Sequence, residues 1–322
     1  MKDLKHLIYF ESLLENANNE LVQKAQAEGN LALGYTCYHV PEALLNVGNC
    51  FSVRLRAPHT GSIDIATYYM SNYTCEFARA LVERGIEGGY QFLDAMIGVD
   101  ACSMMNRAME HFEILKVNDK PNFFVTHCDI PYKITDYTLD SYVKQMRIHV
   151  LDKLTEVYGV DTSDAAIRQA VAEHNEVCSI ISEMAEMRKA ENPVITGYEF
   201  HVINLVSYTC PKALILPYLR ETLKELKKRK PDEKVHQRRE TADRLAKEYN
   251  AEGIIYEQMK YCDYWGFERA LVSHIMHDEY GWPVLSIDRL YNNGNSGQLR
   301  TRVQAFVESL EIKRIHKEEG KA

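Results

Sequence analysis

Cysteine is the residue type with the widest choice of chemistry in this chain. There are eight: Cys37, Cys50, Cys75, Cys102, Cys128, Cys178, Cys210 and Cys262. A thiolate binds metal or attacks electrophiles, whereas a protonated buried thiol packs as a small apolar side chain. No two of them form C-x-x-C, so neither a zinc ribbon nor a thioredoxin-type pair is indicated. The chain also lacks G-x-x-x-x-G-K-[ST], G-x-G-x-x-G, H-E-x-x-H and G-x-S-x-G. Those absences remove the P-loop, the standard dinucleotide fingerprint, the zincins and the typical α/β-hydrolases.

The elements that must position these thiols follow from hydrophobic periodicity. One amphipathic helix is expected over the first 27 residues, ended by Gly29 and Asn30. A strand at Leu31 to Tyr35 then leads into a helix opened by Pro41 and Glu42. Strands at Phe51 to Leu55, Phe92 to Val99 and Asn122 to Thr126 follow, with helices at Thr74 to Arg84 and Cys102 to His111 between them. Strands alternating with helices mean a parallel sheet covered on both faces. Ile134 to Ala190 reads as helical except at Gly159 to Ser163, and a helix from Pro211 to Lys230 follows. Its final basic run, Lys227 to Lys230, reads as a solvated helix end that complements the dipole. Another helix is expected from His236 to about Asn250. Two strand–helix units close the chain: Gly253 to Tyr256 with Trp265 to His277, and Pro283 to Ile287 with Gln298 to Leu310.

On this plan Cys37, Cys102, Cys128 and Cys262 each follow a strand. Ligands of open parallel sheets bind beyond the carboxyl ends of the strands, and helix N-termini there favour thiolate. Cys178, inside a long helix, and Cys50, near a strand start, read as packing residues. Placement alone leaves both a metal site and a set of buried thiols open.

Composition narrows the partners. At 322 residues, 46% apolar and 26% charged, the chain suits two globular α/β domains. Its net charge of −8 argues against a general nucleic-acid role, which wants a basic face. No run of about 18 apolar residues occurs, and Met-Lys-Asp-Leu-Lys-His lacks the apolar region of a signal peptide. No membrane association and a cytoplasmic location are expected, where structural disulfides are rare.

Several ordered motifs carry a resemblance. They are Gly34-Tyr-Thr-Cys-Tyr-His-Val-Pro-Glu-Ala-Leu-Leu45, Tyr73-Thr-Cys-Glu-Phe-Ala-Arg79, Phe92-Leu-Asp-Ala-Met-Ile-Gly-Val99 and Ala101-Cys-Ser-Met-Met-Asn-Arg107. Near the end stand Met259-Lys-Tyr-Cys-Asp-Tyr-Trp-Gly266 and Gly297-Gln-Leu-Arg-Thr-Arg-Val-Gln-Ala-Phe-Val-Glu308. Over nearly its whole length the chain resembles the large subunits of the 2-hydroxyacyl-CoA dehydratase and benzoyl-CoA reductase family. The resemblance implies that Cys75, Cys102 and Cys262 ligate a [4Fe–4S] cluster, leaving one iron without a protein thiolate. It further implies a homologous second subunit in a heterodimer, an acyl-CoA substrate and an ATP-hydrolysing activator protein in an anaerobe. The implied reaction is radical dehydration of a 2-hydroxyacyl-CoA to an enoyl-CoA through a ketyl. Benzoyl-CoA reductase-type or double-cubane-type reduction keeps the same fold, and a non-catalytic scaffold or electron-relay subunit is the reading from another class.

Other positions are placed by the same motifs. Cys37 lines the pocket floor, with Tyr38 and His39 at the helix entrance as candidate catalytic groups. Catalytic subunits of the family often carry a small hydroxyl residue where Tyr38 stands, a departure that favours the partner-subunit reading. His127 is either a proton carrier or a packed, hydrogen-bonded histidine. Gly297, Arg300 and Arg302 open a helix that either holds a CoA phosphate or is an ordinary entry with solvated arginines. The expected architecture is α/β: two Rossmann-like parallel-sheet domains, a helical N-terminal segment, a helical connector and an abbreviated second domain. The expected divisions are 1–30, 31–135, 136–210 and 211–322. The resemblance implies that units usual for the family are missing between Val235 and His236.

Overall fold

The computed structural model describes residues 4–58, 60–190, 193–230, 238–259, 273–289 and 296–318. Cys262 and the Val235–His236 junction lie outside the described residues. The chain divides into two compact units, Met1–Pro231 and Asp232–Ala322.

The first unit is α/β, built on a parallel four-stranded sheet. Its strands are β1 (Leu31–Tyr35), β2 (Cys50–Arg54), β3 (Ala95–Val99) and β4 (Phe124–Cys128), in the order β2-β1-β3-β4. All three pairings are parallel. β1 and β3 carry almost no polar side chain, because both faces of the sheet are covered. Ala32 and Met96 point into one core with helical Ala78, Leu81, Val82, Met109 and Phe112. Leu33, Tyr35, Ala95, Ile97 and Val99 point into the other, with Val150, Leu151 and Leu154.

The single helix expected over 1–27 is two: α1 (Leu7–Leu14) and α2 (Glu20–Ala27). Between them Asn16 and Asn19 hydrogen-bond the backbone locally, which competes with helix continuation. Asn19 caps α2 by accepting from the Leu21 and Val22 amides at 3.1 and 3.2 Å. After β1 the chain makes a short 3-10 turn (Glu42–Asn46). Helices α3 (Asp64–Tyr69), α4 (Glu76–Ile86) and α5 (Ser103–Ile114) follow around β2 and β3. The short α3 has no counterpart in the sequence expectation.

Beyond β4 come α6 (Asp136–Met146), a π-turn (Arg147–Asp152), α7 (Lys153–Tyr158), α8 (Asp164–Glu186), α9 (Gly197–Thr209) and α10 (Lys212–Lys228). A third core joins α1, α8, α9 and α10 through Leu7, Phe10, Val177, Ile203, Ile215 and Leu219. α10 belongs to the first unit. Its first residue, Lys212, is buried and bonds Glu42 Oε1 at 2.7 Å. Ser52 Oγ donates to the same oxygen at 2.9 Å.

The described part of the second unit holds α11 (Arg238–Glu248), parallel strands β5 (Ile254–Met259) and β6 (Val284–Arg289), and the C-terminal helix Ser296–Glu318. Gly253 permits close docking of that helix, since a Cβ there would stand 2.8 Å from the Phe306 ring. Among the described residues, no helix is long and apolar enough to cross a membrane.

Candidate functional site

The strand order reverses between β1 and β3: the chain leaves β1 for β2 on one side and β3 for β4 on the other. The two loops leaving this adjacent pair therefore open a crevice at their carboxyl ends, the usual ligand position in open α/β sheets. Cys37 lies on the first loop, two residues past β1. Cys102 lies on the second, three residues past β3, as the N-cap of α5.

Cys75 reaches the same rim from a third segment. It is the N-cap of α4, and its amide donates to the Met104 sulfur at 3.1 Å. Met104 belongs to the first turn of α5, so the openings of the two helices meet. Neither Cys75 nor Cys102 makes a side-chain capping bond. The first amides of both helices thus leave a positive end facing the rim, which favours an anionic ligand. Cys102 is exposed, and Cys37 and Cys75 are half-buried free thiols.

Local structure explains this placement. The loop before α4 is tied down by Arg79, whose guanidinium donates to Thr67 Oγ1 and Asn72 Oδ1, both at 3.2 Å. Glu83 accepts from the Ala66 amide at 2.7 Å, fixing α3 against α4. On the β3 side, Gly98 lets α5 approach: a Cβ there would stand 2.6 Å from the Met109 methyl. Asn106 donates to Asp100, closing the turn that carries Cys102. Arg79 and Met104 fall inside the motifs of the sequence but carry no expected role there. Their part is visible only once the two helices meet.

The remaining thiols divide sharply. Cys50, Cys128 and Cys210 are buried, and burial pushes their thiols up to about 12, 11 and 12. They stay protonated and pack. Cys128, although it ends a strand, therefore belongs to the core. Cys178, expected to be a packing residue, is exposed on α8 instead.

Tyr38 and His39 follow Cys37, both exposed, their rings packed on each other at 4.1 Å between centroids. Tyr142 donates to the His39 carbonyl at 3.4 Å. His127, half-buried on β4, leaves Nε2 buried without a hydrogen-bond partner. Arg300 and Arg302 are exposed on the first turns of the C-terminal helix, and Arg302 donates to the Ser286 carbonyl at 2.8 Å. Among the described residues no three His, Cys, Asp or Glu side chains already converge as a metal site.

Residues 37–241 and 232–310 match the profile of the family described as 2-hydroxyglutaryl-CoA dehydratase, D-component. The chain belongs to this family. The resemblance carried by its motifs is thereby borne out. Among curated relatives, the (R)-phenyllactyl-CoA dehydratase beta subunit of Clostridium sporogenes is 18% identical over 370 aligned residues, covering 94% of this chain and 97% of that one. The (R)-2-hydroxyglutaryl-CoA dehydratase subunit beta of Acidaminococcus fermentans is 21% identical over 176 residues, covering 52% of this chain and 45% of that one. The two family matches overlap at 232–241, and the longer alignment exceeds the 322 residues of this chain.

Proposed function

We propose that the chain is an iron–sulfur subunit of a 2-hydroxyacyl-CoA dehydratase-type enzyme, with Cys75, Cys102 and Cys262 as cluster ligands. The observation that carries this reading is the meeting of two helix openings, each with a free cysteine at its N-cap position and no side-chain capping bond, beside the crevice between β1 and β3. This donor set fits a cluster, since soft thiolates suit iron and two positive helix ends suit its negative charge. Cys262 is assigned by its motif alone. When bound, a [4Fe–4S] cluster with three thiolate ligands supplies one electron at a time and one Lewis-acidic iron.

The chain's own residues would do the rest. Arg79 and Met104 hold the two helix openings that carry the thiols. Cys37, half-buried at the end of β1, lines the floor on which a thioester would lie. Tyr38 and His39 stand exposed at the mouth, where a phenol or imidazole can bond a substrate hydroxyl or move its proton. Arg300 and Arg302 would meet the anionic end of CoA. The relatives act on (R)-2-hydroxyacyl thioesters by their names, which supports that substrate class here. They are beta subunits, which supports a homologous partner subunit; a separate ATP-hydrolysing activator completes the reading. Tyr38, bulky and 75% exposed, favours a second reading, in which this chain supports turnover on its partner. On either reading the second unit would be abbreviated, with units missing between Val235 and His236.

The test is anaerobic purification followed by reconstitution with ferrous iron and sulfide. A brown protein with about four irons per chain is expected. Cys75→Ser and Cys102→Ser should each lose iron, and Cys210→Ser should keep it. A colourless wild-type chain after reconstitution would sink the cluster. Turnover of an (R)-2-hydroxyacyl-CoA with partner and activator then separates the readings: Tyr38→Ser changes the rate if this chain holds the substrate, and leaves it unchanged if the partner does.

A further inference from the structure

A second group of reactive side chains lies away from the crevice, on the exposed side of α8. Cys178 Sγ stands 3.3 Å from His174 Nε2, one helical turn earlier. On the other edge of the ring, His174 Nδ1 is buried without a hydrogen bond and lies 3.9 Å from Glu42 Oε2. Glu42 is fixed in turn, because its other oxygen accepts from Lys212 at 2.7 Å and Ser52 at 2.9 Å. Thiol, imidazole and carboxylate thus form a line from solvent to interior, with the carboxylate anchored at its far end.

We propose that Cys178 is a base-assisted nucleophilic thiol that exchanges with small-molecule disulfides, His174 taking its proton and Glu42 favouring the resulting imidazolium. The carboxylate beside Nδ1 favours the tautomer protonated there, which leaves Nε2 free to accept from the thiol. Burial, with Lys212 nearby, holds the imidazole below its ordinary range, so it stands neutral; Glu42 works against that shift and supports its proton uptake. Burial also pushes the Cys178 thiol up, so the thiolate forms only as His174 removes the proton. Nucleophile, base and orienting acid is the arrangement that activates thiols generally.

The step balances. Cys178 loses its proton to His174, and its sulfur attacks one sulfur of the disulfide. A new S–S bond forms as the old one breaks, and the departing thiolate takes the proton back from His174. Cys178 is oxidised, and the departing sulfur is reduced to a thiol. A second thiol reverses the reaction.

The test uses the full chain and an aromatic disulfide, dithiobis-nitrobenzoate, with the mixed disulfide at each cysteine followed by peptide mass. In the folded chain Cys178 should react about tenfold faster than in urea, despite its lower accessibility. His174→Gln should slow it about tenfold, with unfolding midpoint checked alongside, while rates at Cys37 and Cys102 hold. A folded chain that reacts at Cys178 no faster than the unfolded one overturns the proposal, and this comparison needs no variant. So does a folded His174→Gln chain with an undiminished rate.

Discussion

Cys102 and Cys128 come from neighbouring strands, yet the fold treats them in opposite ways. Val99 and Cys128 are the last register pair of β3 and β4. Cys128 is still part of the sheet, buried, with its thiol pushed up to about 11. Three residues past Val99, Cys102 has left the sheet and stands exposed at the N-cap position of α5. Inside the last turn of the sheet a cysteine is a small apolar filler; on the rim above, it faces helix amides and water. The same contrast sets Cys50 and Cys210 against Cys75. Whether a cysteine of this chain is core filler or an accessible thiol therefore turns on a displacement of a few residues past a strand end.

Substitutions can break that contrast, beginning with the interior. The largest expected effect is at Lys212, whose ammonium is buried against Glu42. Lys212→Met leaves that carboxylate buried without its cation and should cost about 3–5 kcal/mol, read from urea unfolding. Glu42→Gln in the same chain should recover much of the loss, because both charges are then gone. Next comes the direct comparison of neighbours. Cys128→Ser buries a hydroxyl among Val99, Val150 and Leu151 and should cost about 1–3 kcal/mol. Cys102→Ser, on the exposed rim, should stay within about 0.5 kcal/mol in the iron-free chain. Equal losses at the two positions would remove the distinction between core and rim.

Much of this was legible in the sequence because it is local. β1 falls where its apolar run predicts, and the strand–helix alternation before residue 130 predicts the parallel sheet. The helix break near Asn16 to Asn19 escaped because apolar periodicity runs across it, although the asparagines themselves signal a cap. The thiols past β1 and β3 could be placed from strand ends alone. Cys128 could not, because β4 runs two residues beyond the expected Asn122 to Thr126 and keeps this core residue in the sheet. The pairing of Lys212 with Glu42 spans 170 positions, and no local pattern reports it. The four-residue spacing of His174 and Cys178 was legible as one face of a helix. Glu42, brought beside His174 from a different segment by the packing of α8 over the 3-10 turn, was not.

Alkaline pH tests the interior side of the contrast by a smaller effect. An unfolded chain releases its thiol protons near the ordinary value of 9.0, whereas the folded chain keeps those of Cys50, Cys128 and Cys210 until about 12, 11 and 12. Between those limits the folded state binds more protons than the unfolded one, so raising the pH favours unfolding. The contribution is intact below pH 9 and is lost as the pH climbs towards 11–12. Each thiol adds a slope of at most about 1.4 kcal/mol per pH unit. Cys210→Ala removes one such group while keeping a small apolar side chain beside Asn19 and Thr209. Its unfolding free energy, measured between pH 8.5 and 10 to stay below most tyrosine ionisation, should therefore fall less steeply than that of the wild-type chain. Parallel curves would mean that the Cys210 thiol ionises alike in both states, and the core would then be no less permissive to thiolate than water.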